Sequence, residues 1–435
     1  MSPSISDHYG KREPSSIRKA QILFQSRQDC SNIEVINLAI GNISLPMHPA
    51  MLSRLKGIGE PDSPFAKGVV QYTSSEGTAE CKTAILNSIN AELSLNIPEN
   101  INCVITDGGS QAMELMLLGV SGTSGGEPIM VIDPLYTNYV EFAKRLSIPM
   151  VSLERNSNAD GSFGDLDTTK IRKKISKDNP NGILIIPADN PTGLQMSQNT
   201  INEIAKICVE EDIWLVSDEA YRNIYFSGSG PSSIWQISNT DVPGILGRRI
   251  SIESVSKVWN ACGLRIGALV TDNKMMYQKV RSEYTANLCA NVIGQYVFGA
   301  VAQMSSDEII DWYSSQRVYY SKAIISLIKE LKEELPGIIL SSPGAAIYIV
   351  LDFKNITPSD FNVSKFIEYC SLNGKIRIKR KYYTLLLSPM KGFYNQKFKG
   401  EKQARIALVE QESKIRMVPK ILSRLLENYL KSEKL

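Results

Sequence analysis

Short apolar runs alternate with amphipathic segments through the chain up to about residue 300. Each run ends in a turn of glycine, proline or polar residues, which is typical of strands in α/β proteins. The predicted strands lie near residues 35–40, 104–107, 129–133, 182–187, 213–217, 249–254 and 266–270. Segments between them, such as about 78–93, predict helices. This alternation predicts an α/β domain with a mostly parallel central sheet flanked by helices.

The pattern changes after about residue 305, where one long helix is predicted from Glu308 to about Leu335. Predicted strands near 345–353, 375–379 and 404–409, a helix near 363–373 and a closing helix are typical of a smaller α+β domain. The chain of 435 residues also exceeds the roughly 250–300 residues over which one core grows. We therefore predict residues 1–55 as an N-terminal arm and part of the small domain, 56–305 as the large domain and 306–435 as the C-terminal small domain.

The composition argues against several classes of function. With 43% hydrophobic and 21% charged residues and a net charge of +3, the chain predicts a globular protein without a nucleic-acid or membrane partner. No apolar stretch approaches the roughly 20 residues that span a bilayer, and the N-terminus does not resemble a signal peptide. The two histidines are too few for a histidine-rich metal site, and no metal site is predicted. Seven dispersed cysteines predict reduced thiols and a cytoplasmic location.

The segment between the last two predicted strands carries the most distinctive chemistry. It contains Ser254, Ser256, Lys257 and Arg265 together with two glycines. Hydroxyls and a guanidinium suit a phosphate, and glycine lets the backbone approach a ligand closely. A lysine that is partly desolvated in such a pocket can act as a nucleophile toward carbonyls. The segment indicates an aldehyde cofactor that carries a phosphate, although a surface lysine and a salt-bridged arginine remain an alternative.

A second candidate anion site follows the strand near 104–107. Two glycines break the strand and Ser110 and Gln111 open an amphipathic helix after Gly109. The N-terminus of a helix presents free N–H groups and the positive end of its dipole. This junction is a candidate phosphate cradle, and a tight turn without a ligand is the alternative.

Polar and aromatic residues follow three further apolar strands, where ligands collect in α/β sheets. Tyr136 follows the first of these strands, as a ring-stacking or a wall residue. The turn Asn190-Pro-Thr-Gly holds the asparagine amide rigidly, because proline fixes φ and glycine permits a positive φ. Asp218 and Tyr221 follow the third strand, and a carboxylate there needs a cationic partner. Taken alone, Gly41 is a turn residue and Tyr72 a packing residue.

Together and in this order, these motifs resemble the class I/II aminotransferases, enzymes of fold type I that depend on pyridoxal phosphate. The resemblance runs from about Ile17 to Val409 and rests on Asn190-Pro-Thr-Gly, Asp218-Glu-Ala-Tyr221 and Ser254-x-Ser-Lys257 with Arg265. It implies a large cofactor-binding domain and a smaller α+β domain. It also implies transfer of an amino group between an L-amino acid and a 2-oxo acid by a ping-pong aldimine mechanism.

The resemblance also implies roles for single residues. Lys257 would form the Schiff base and move the Cα proton, and Asp218 would pair with the pyridine nitrogen. Tyr221 and Asn190 would bind the ring's phenolate oxygen, and Tyr136 would stack on the ring. The phosphate would be bound by Gly109, Ser110, Gln111, Ser254, Ser256 and Arg265, and by Tyr72 of a neighbouring subunit, which implies a homodimer. Arg405 would bind the substrate α-carboxylate, helped by Asn190 and the backbone near Gly41.

The closing part of the chain departs from the family pattern. Residues 391–399 form an unusually basic and aromatic insert, interpreted either as a solvated loop or as an entrance that favours acidic or aromatic side chains. Because a fold does not determine its chemistry, a lyase, decarboxylase or cyclase that uses pyridoxal phosphate is the alternative function. A non-catalytic, cofactor-binding regulatory protein is a third hypothesis.

Overall fold

A computed structural model describes residues 3–93, 101–123, 125–226, 230–396 and 398–433. Its strands are β1 (Ile33–Asn37), β2 (Asn102–Asp107), β3 (Ile129–Asp133), β4 (Met150–Glu154), β5 (Gly182–Ile185), β6 (Trp214–Asp218), β7 (Arg249–Ser254), β8 (Ile266–Thr271), β9 (Ile339–Leu340), β10 (Tyr348–Asp352), β11 (Ile376–Ile378), β12 (Lys381–Leu386), β13 (Ser388–Pro389) and β14 (Gln403–Ala407). Its α-helices are α1 (Asp7–Gly10), α2 (Ser16–Ser26), α3 (Pro49–Lys56), α4 (Ala79–Leu93), α5 (Gly109–Ser121), α6 (Thr137–Leu146), α7 (Thr168–Asp178), α8 (Gln198–Glu210), α9 (Lys274–Tyr284), α10 (Val292–Gly299), α11 (Ser306–Glu334), α12 (Val363–Leu372), α13 (Glu412–Ile415) and α14 (Val418–Ser432).

The largest sheet has seven strands in the order β2-β8-β7-β6-β5-β3-β4. Strands β7, β6, β5, β3 and β4 pair in parallel, whereas β8 pairs in the antiparallel direction with both β7 and β2. Strands β3, β5 and β8 are buried along their whole length, as strands covered by helices on both faces are. The predicted α/β class with a mostly parallel central sheet is confirmed.

Two smaller sheets complete the fold. One has the order β1-β12-β11, and the other is an antiparallel sheet with the order β13-β14-β10-β9. The long predicted helix is α11, which begins with a capping box in which Ser305 and Glu308 satisfy each other's backbone N–H groups. These elements form the predicted smaller α+β part. Among the described residues, no helix combines the length and the apolar character needed to cross a membrane.

The carboxyl ends of the parallel strands meet at one edge of the large sheet, where the turns after them can form a common site. Strand β8 begins at this edge, and its Gly267 lies against the turn that leads from β2 into α5. A Cβ atom at Gly267 would lie 2.5 Å from backbone atoms of Gly108 and Gly109 and 2.7 Å from the carbonyl oxygen of Glu253. The absence of a side chain at Gly267 therefore determines how closely the start of α5 approaches the sheet.

We predict that Gly267→Ala lowers the free energy of unfolding by about 1–3 kcal/mol, because the added methyl group must displace backbone atoms. The measurement is urea unfolding followed by circular dichroism. Gly59→Ala is the control, since a Cβ atom there has no neighbour within 4 Å. Equal stability of the two variants would contradict the proposed role of Gly267.

Candidate active site

A cavity of about 620 Å³ opens at the carboxyl edge of the large sheet. Both the large sheet and the smaller sheets contribute residues to its wall. The sequence-predicted residues that line it are Gly41, Gly109, Ser110, Tyr136, Asn190, Asp218, Tyr221, Ser254, Ser256, Lys257, Arg265 and Arg405. Its volume lies in the range of small-molecule and cofactor sites.

Lys257 extends into this cavity from the turn between β7 and β8. Its Nζ atom donates a hydrogen bond to the carbonyl oxygen of Gly41. A Cβ atom at Gly41 would lie 2.8 Å from that Nζ and 2.9 Å from the hydroxyl oxygen of Tyr348. Gly41 is therefore more than a turn residue, because only glycine lets the backbone come this close to the lysine.

Asp218 lies at the carboxyl end of β6, with its carboxylate facing the cavity. The hydroxyl of Tyr139 donates to Oδ2 at 2.5 Å, and the N–H of Ala220 donates to Oδ1 at 3.1 Å. Burial raises the pKa of Asp218 above its usual value, while the bond from Tyr139 lowers it. The two hydrogen bonds hold the carboxylate in one orientation toward the cavity.

Arg405, on β14, has a fully buried guanidinium group that is 1% exposed. It donates to the amide oxygen of Asn190 at 2.9 Å and to the carbonyl oxygen of Ala39 at 2.5 Å. The rings of Tyr348 and Phe393 lie 4.3 and 4.8 Å from its central carbon. Burial lowers the pKa of Arg405 from its usual value. Its Nε atom makes no hydrogen bond to any described residue.

The turn after β5 and the segment after β6 meet beside Arg405. Because the Asn190 oxygen accepts from Arg405, its amide nitrogen remains available to donate into the cavity. The hydroxyl groups of Tyr221 and Tyr348 are hydrogen-bonded at 2.5 Å. Burial raises the pKa of Tyr221 well above the usual value of a phenol. The neutral amide of Asn190 and the neutral hydroxyl of Tyr221 therefore lie near the buried guanidinium of Arg405.

The start of α5 forms another wall of the cavity. Gly108 precedes this helix with φ +76°, and the Arg265 guanidinium lies against it, bonded to the carbonyl oxygens of Cys262 at 3.1 Å and Asp107 at 3.3 Å. Ser254 and Ser256 line the same wall, where the Ser256 N–H donates to the Ser254 hydroxyl at 3.2 Å. Free N–H groups at a helix start beside an arginine and two hydroxyls suit a phosphate.

Two predicted residues do not line the cavity of their own chain. The Gln111 side-chain oxygen accepts from the N–H of Asp107 at 2.8 Å and from the hydroxyl of Tyr284 at 2.9 Å. Gln111 therefore braces the turn before α5 with its side chain. Tyr72 is 75% exposed and is not part of the cavity lining.

The basic and aromatic insert at 391–399 packs against the edge of the large sheet. Lys391 pairs with Glu401 at 3.3 Å, and Lys399 pairs with Glu154. Lys397 lies outside the described residues. Phe393 is the member of the insert that contacts the site, through the Arg405 guanidinium. The two described lysines are thus neutralised by carboxylates and do not line the cavity.

The lining residues that were not assigned from the sequence include Arg18, Tyr139 and Tyr348. Tyr139 follows Tyr136 by three residues, and this spacing places both on one face of the first turn of α6. Their rings meet edge to face at 5.4 Å, and Tyr136 also accepts a hydrogen bond from Asn138 at 2.8 Å. No local signal marks Arg18 or Tyr348, because distant segments bring them to the cavity.

Comparison with known proteins identifies the family. The cavity at the edge of the mostly parallel sheet is lined by a lysine, a carboxylate and three arginines. The family model described as aminotransferase class I and II matches residues 33–392. The chain belongs to this family of pyridoxal-phosphate-dependent enzymes, and its activity is amino-group transfer. The resemblance inferred from the motifs is confirmed.

Individual relatives are distant in sequence. The chain is 22% identical to the aspartate aminotransferase of Musicola paradisiaca over 321 residues, 70% of this chain and 75% of that protein. It is 25% identical to that of Pyrococcus horikoshii over 327 residues, 72% of this chain and 78% of that protein.

Solved structures show the same fold. The N-succinyldiaminopimelate aminotransferase of Mycobacterium tuberculosis superimposes with a TM-score of 0.78 at 18% identity, covering 97% of this chain and 100% of that one. The alanine aminotransferase of Pyrococcus furiosus gives a TM-score of 0.78 at 21% identity, covering 98% of this chain and 100% of that one. The predicted fold type I architecture is confirmed.

Tyr139→Phe is expected to lower kcat/KM for amino transfer about 10-fold, because a hydrogen bond to a charged group contributes about 1.5–3 kcal/mol. Without that bond the pKa of Asp218 rises further, so the acid limb of the kcat/KM profile moves to higher pH. Rate–pH profiles measure both effects. Tyr320→Phe is the control, since it removes a buried hydroxyl that has no partner among the described residues. An unmoved acid limb in Tyr139→Phe would count against the role of this tyrosine.

Proposed function

We propose that this cavity binds pyridoxal 5'-phosphate and transfers an amino group from an L-amino acid to a 2-oxo acid in ping-pong fashion. The observation that carries the proposal is the convergence of Lys257, Asp218, Arg265 and Arg405 on one cavity. When bound, the cofactor supplies an aldehyde that accepts the amine and a ring that absorbs electrons from Cα.

The residues fit this cofactor at three points. The start of α5 and Arg265 suit its phosphate, and the buried carboxylate of Asp218 suits its protonated ring nitrogen. The unpartnered Nε of Arg405 leaves a buried donor that a substrate α-carboxylate would satisfy. The buried charges of Asp218 and Arg405 would thus each gain a partner of opposite charge in the proposed complex.

Individual residues of the chain would have distinct roles in the reaction. Lys257 would hold and move the proton at Cα, since its Nζ lies at the cavity floor beside Gly41. Asn190 and Tyr221 would orient the ring by donating hydrogen bonds, and Tyr136 would cover one of its faces. The bidentate fork of Arg405 would fix the substrate carboxylate between Tyr348 and Phe393. Gly41 would leave room for that carboxylate.

The remaining predictions form part of the same proposal. A homodimer is proposed in which the exposed Tyr72 of one subunit reaches the phosphate site of the other; its exposure supports this role. The domain division at 55/56 and 305/306 is supported by the large sheet, whose strands lie between Asn102 and Thr271. A cytoplasmic location is supported by the free thiol state of every cysteine.

The test begins with purified protein loaded with pyridoxal phosphate. Candidate amino acids are supplied with 2-oxoglutarate, pyruvate or oxaloacetate, and both products are identified by mass spectrometry. Paired formation of a new 2-oxo acid and a new amino acid is the expected outcome. Release of carbon dioxide, of a side-chain leaving group or of a cyclic product would instead support a decarboxylase, lyase or cyclase.

Lys257→Ala is expected to reduce turnover at least 10³-fold, because no other amine lines the cavity among the described residues. Cofactor binding and the urea unfolding midpoint serve as controls that the variant is folded and loaded. Turnover by Lys257→Ala at the wild-type rate would defeat the assignment of this lysine. A protein that binds the cofactor but yields no product from any donor would support a regulatory role.

A further inference from the structure

The 391–399 insert links the small antiparallel sheet to the large sheet. It lies between β13 and β14 of the small sheet, and residues within it are bonded to the ends of β3 and β4 in the large sheet. The proposed reaction assigns no role to these bonds. One of them goes to the side chain of Asp133, the last residue of β3, which is 1% exposed.

The side chain of Asp133 accepts a hydrogen bond from the backbone of the insert. The N–H of Asn395 donates to its Oδ2 atom at 2.9 Å, while its Oδ1 atom makes no hydrogen bond to any described residue. A buried carboxylate is costly unless N–H groups satisfy it. The insert satisfies this carboxylate, and the carboxylate in turn attaches the insert to the sheet.

Two further bonds attach the insert nearby. The carbonyl oxygen of Phe393 accepts from the N–H of Leu135 at 2.8 Å, and the side-chain amide of Gln396 donates to Glu154 at 2.7 Å. The side chain of Glu154 is 34% exposed, so its bond competes with water. Of the two carboxylates, Asp133 is the buried one, and its bond is the better shielded.

These bonds determine where Phe393 lies. The centre of its buried ring is 4.8 Å from the central carbon of the Arg405 guanidinium. Its backbone is held by the bond from Leu135 and, two residues further along the insert, by the bond to Asp133. Displacement of the insert from the sheet edge would therefore move this ring away from the guanidinium.

We infer that Asp133 is a positioning residue for substrate binding, which keeps Phe393 on the guanidinium of Arg405 by holding the insert. The inference rests on the proposed function, in which Arg405 binds the substrate α-carboxylate. A guanidinium that is covered by a ring is shielded from water, so it attracts a carboxylate more strongly. Loss of the bond to Asp133 would let the insert leave the sheet edge, admit water to Arg405 and weaken carboxylate binding.

Hydrogen exchange measured by mass spectrometry tests the attachment, with or without cofactor. Asp133→Ala should raise the exchange rate of peptides that contain Asn395 about 10-fold, because the acceptor of its N–H is gone. Asp133→Asn should keep that rate within about threefold. Burial raises the pKa of Asp133 to about 6, so the position accommodates a neutral side chain, and the amide oxygen accepts the same bond. Unchanged exchange in Asp133→Ala, or no rescue by Asp133→Asn, overturns the inference.

Carboxylate binding tests the consequence without turnover. The loaded enzyme is titrated by calorimetry with butyrate, valerate and hydrocinnamate, and the tightest of them serves as the probe. Asp133→Ala should weaken its binding about 10-fold, and Asp133→Asn should keep it within about threefold. Both variants should bind pyridoxal phosphate within about threefold of the wild type. An equal loss of cofactor affinity would indicate a general distortion and overturn the inference.

A double-variant cycle tests the route through Phe393. Phe393→Leu should weaken binding of the same probe about as much as Asp133→Ala does, and combining the two should add little, because both act on one contact. No loss in Phe393→Leu overturns the inference whether or not Asp133→Ala folds, and fully additive losses overturn it as well.

Lys391→Met is the matched control within the insert, because it removes an exposed ion pair, 3.3 Å from Glu401. It should change neither the exchange rate nor the carboxylate affinity, and effects equal to those of Asp133→Ala overturn the inference. An enzyme that transfers no amino group refutes the proposed function, whereas the exchange rate and the carboxylate affinity, which need no turnover, still decide the role of Asp133.

Discussion

The buried guanidinium of Arg405 joins the two halves of the cavity. It projects from β14 of a small sheet and reaches Asn190, in the turn that follows β5 of the large sheet, and Ala39, just after β1. A buried cation is costly unless hydrogen bonds satisfy it. Three chain segments that are remote in sequence are therefore held together by the requirement to satisfy one charge. The shape of the site depends on that requirement.

The aromatic surroundings of this arginine explain how it can serve both structure and binding. Tyr348 and Phe393 cover its faces, which excludes water and strengthens its interaction with any carboxylate that enters. Two of its nitrogens are used by the protein, and its Nε is not. The same group can thus stabilise the fold and still present a donor to a substrate.

At the opposite end of the cavity, beside the start of α5, backbone groups take the place of a buried charge. There the chain uses backbone groups: the start of α5, the glycine turn before it and the close approach of Gly267. Arg265 and the serines supplement these N–H groups. An anion held mainly by backbone depends on tight packing of helix against strand, which is why the glycines there matter as much as the charged residues.

Local patterns in the sequence were sufficient for every strand of the large sheet except β4, for the long helix α11 and for residues that lie at strand ends. Lys257, Asp218 and Asn190 could be identified because each lies at the end of an apolar strand or in the segment that follows it, where α/β sheets gather ligands. The pairing of β1 with β12 carries no comparable local signal, since it joins segments from opposite ends of the chain.

Only the tertiary structure decided the partners of these residues. It brought the hydroxyl of Tyr139 to Asp218, the hydroxyl of Tyr348 to Tyr221 and the side chain of Arg18 to the cavity wall. The reason is physical: a turn's conformation depends on the few residues within it, whereas the neighbours of a side chain depend on how whole elements pack. The residues that carry the chemistry could therefore be predicted from the sequence, whereas the electrostatic environment of those residues could not.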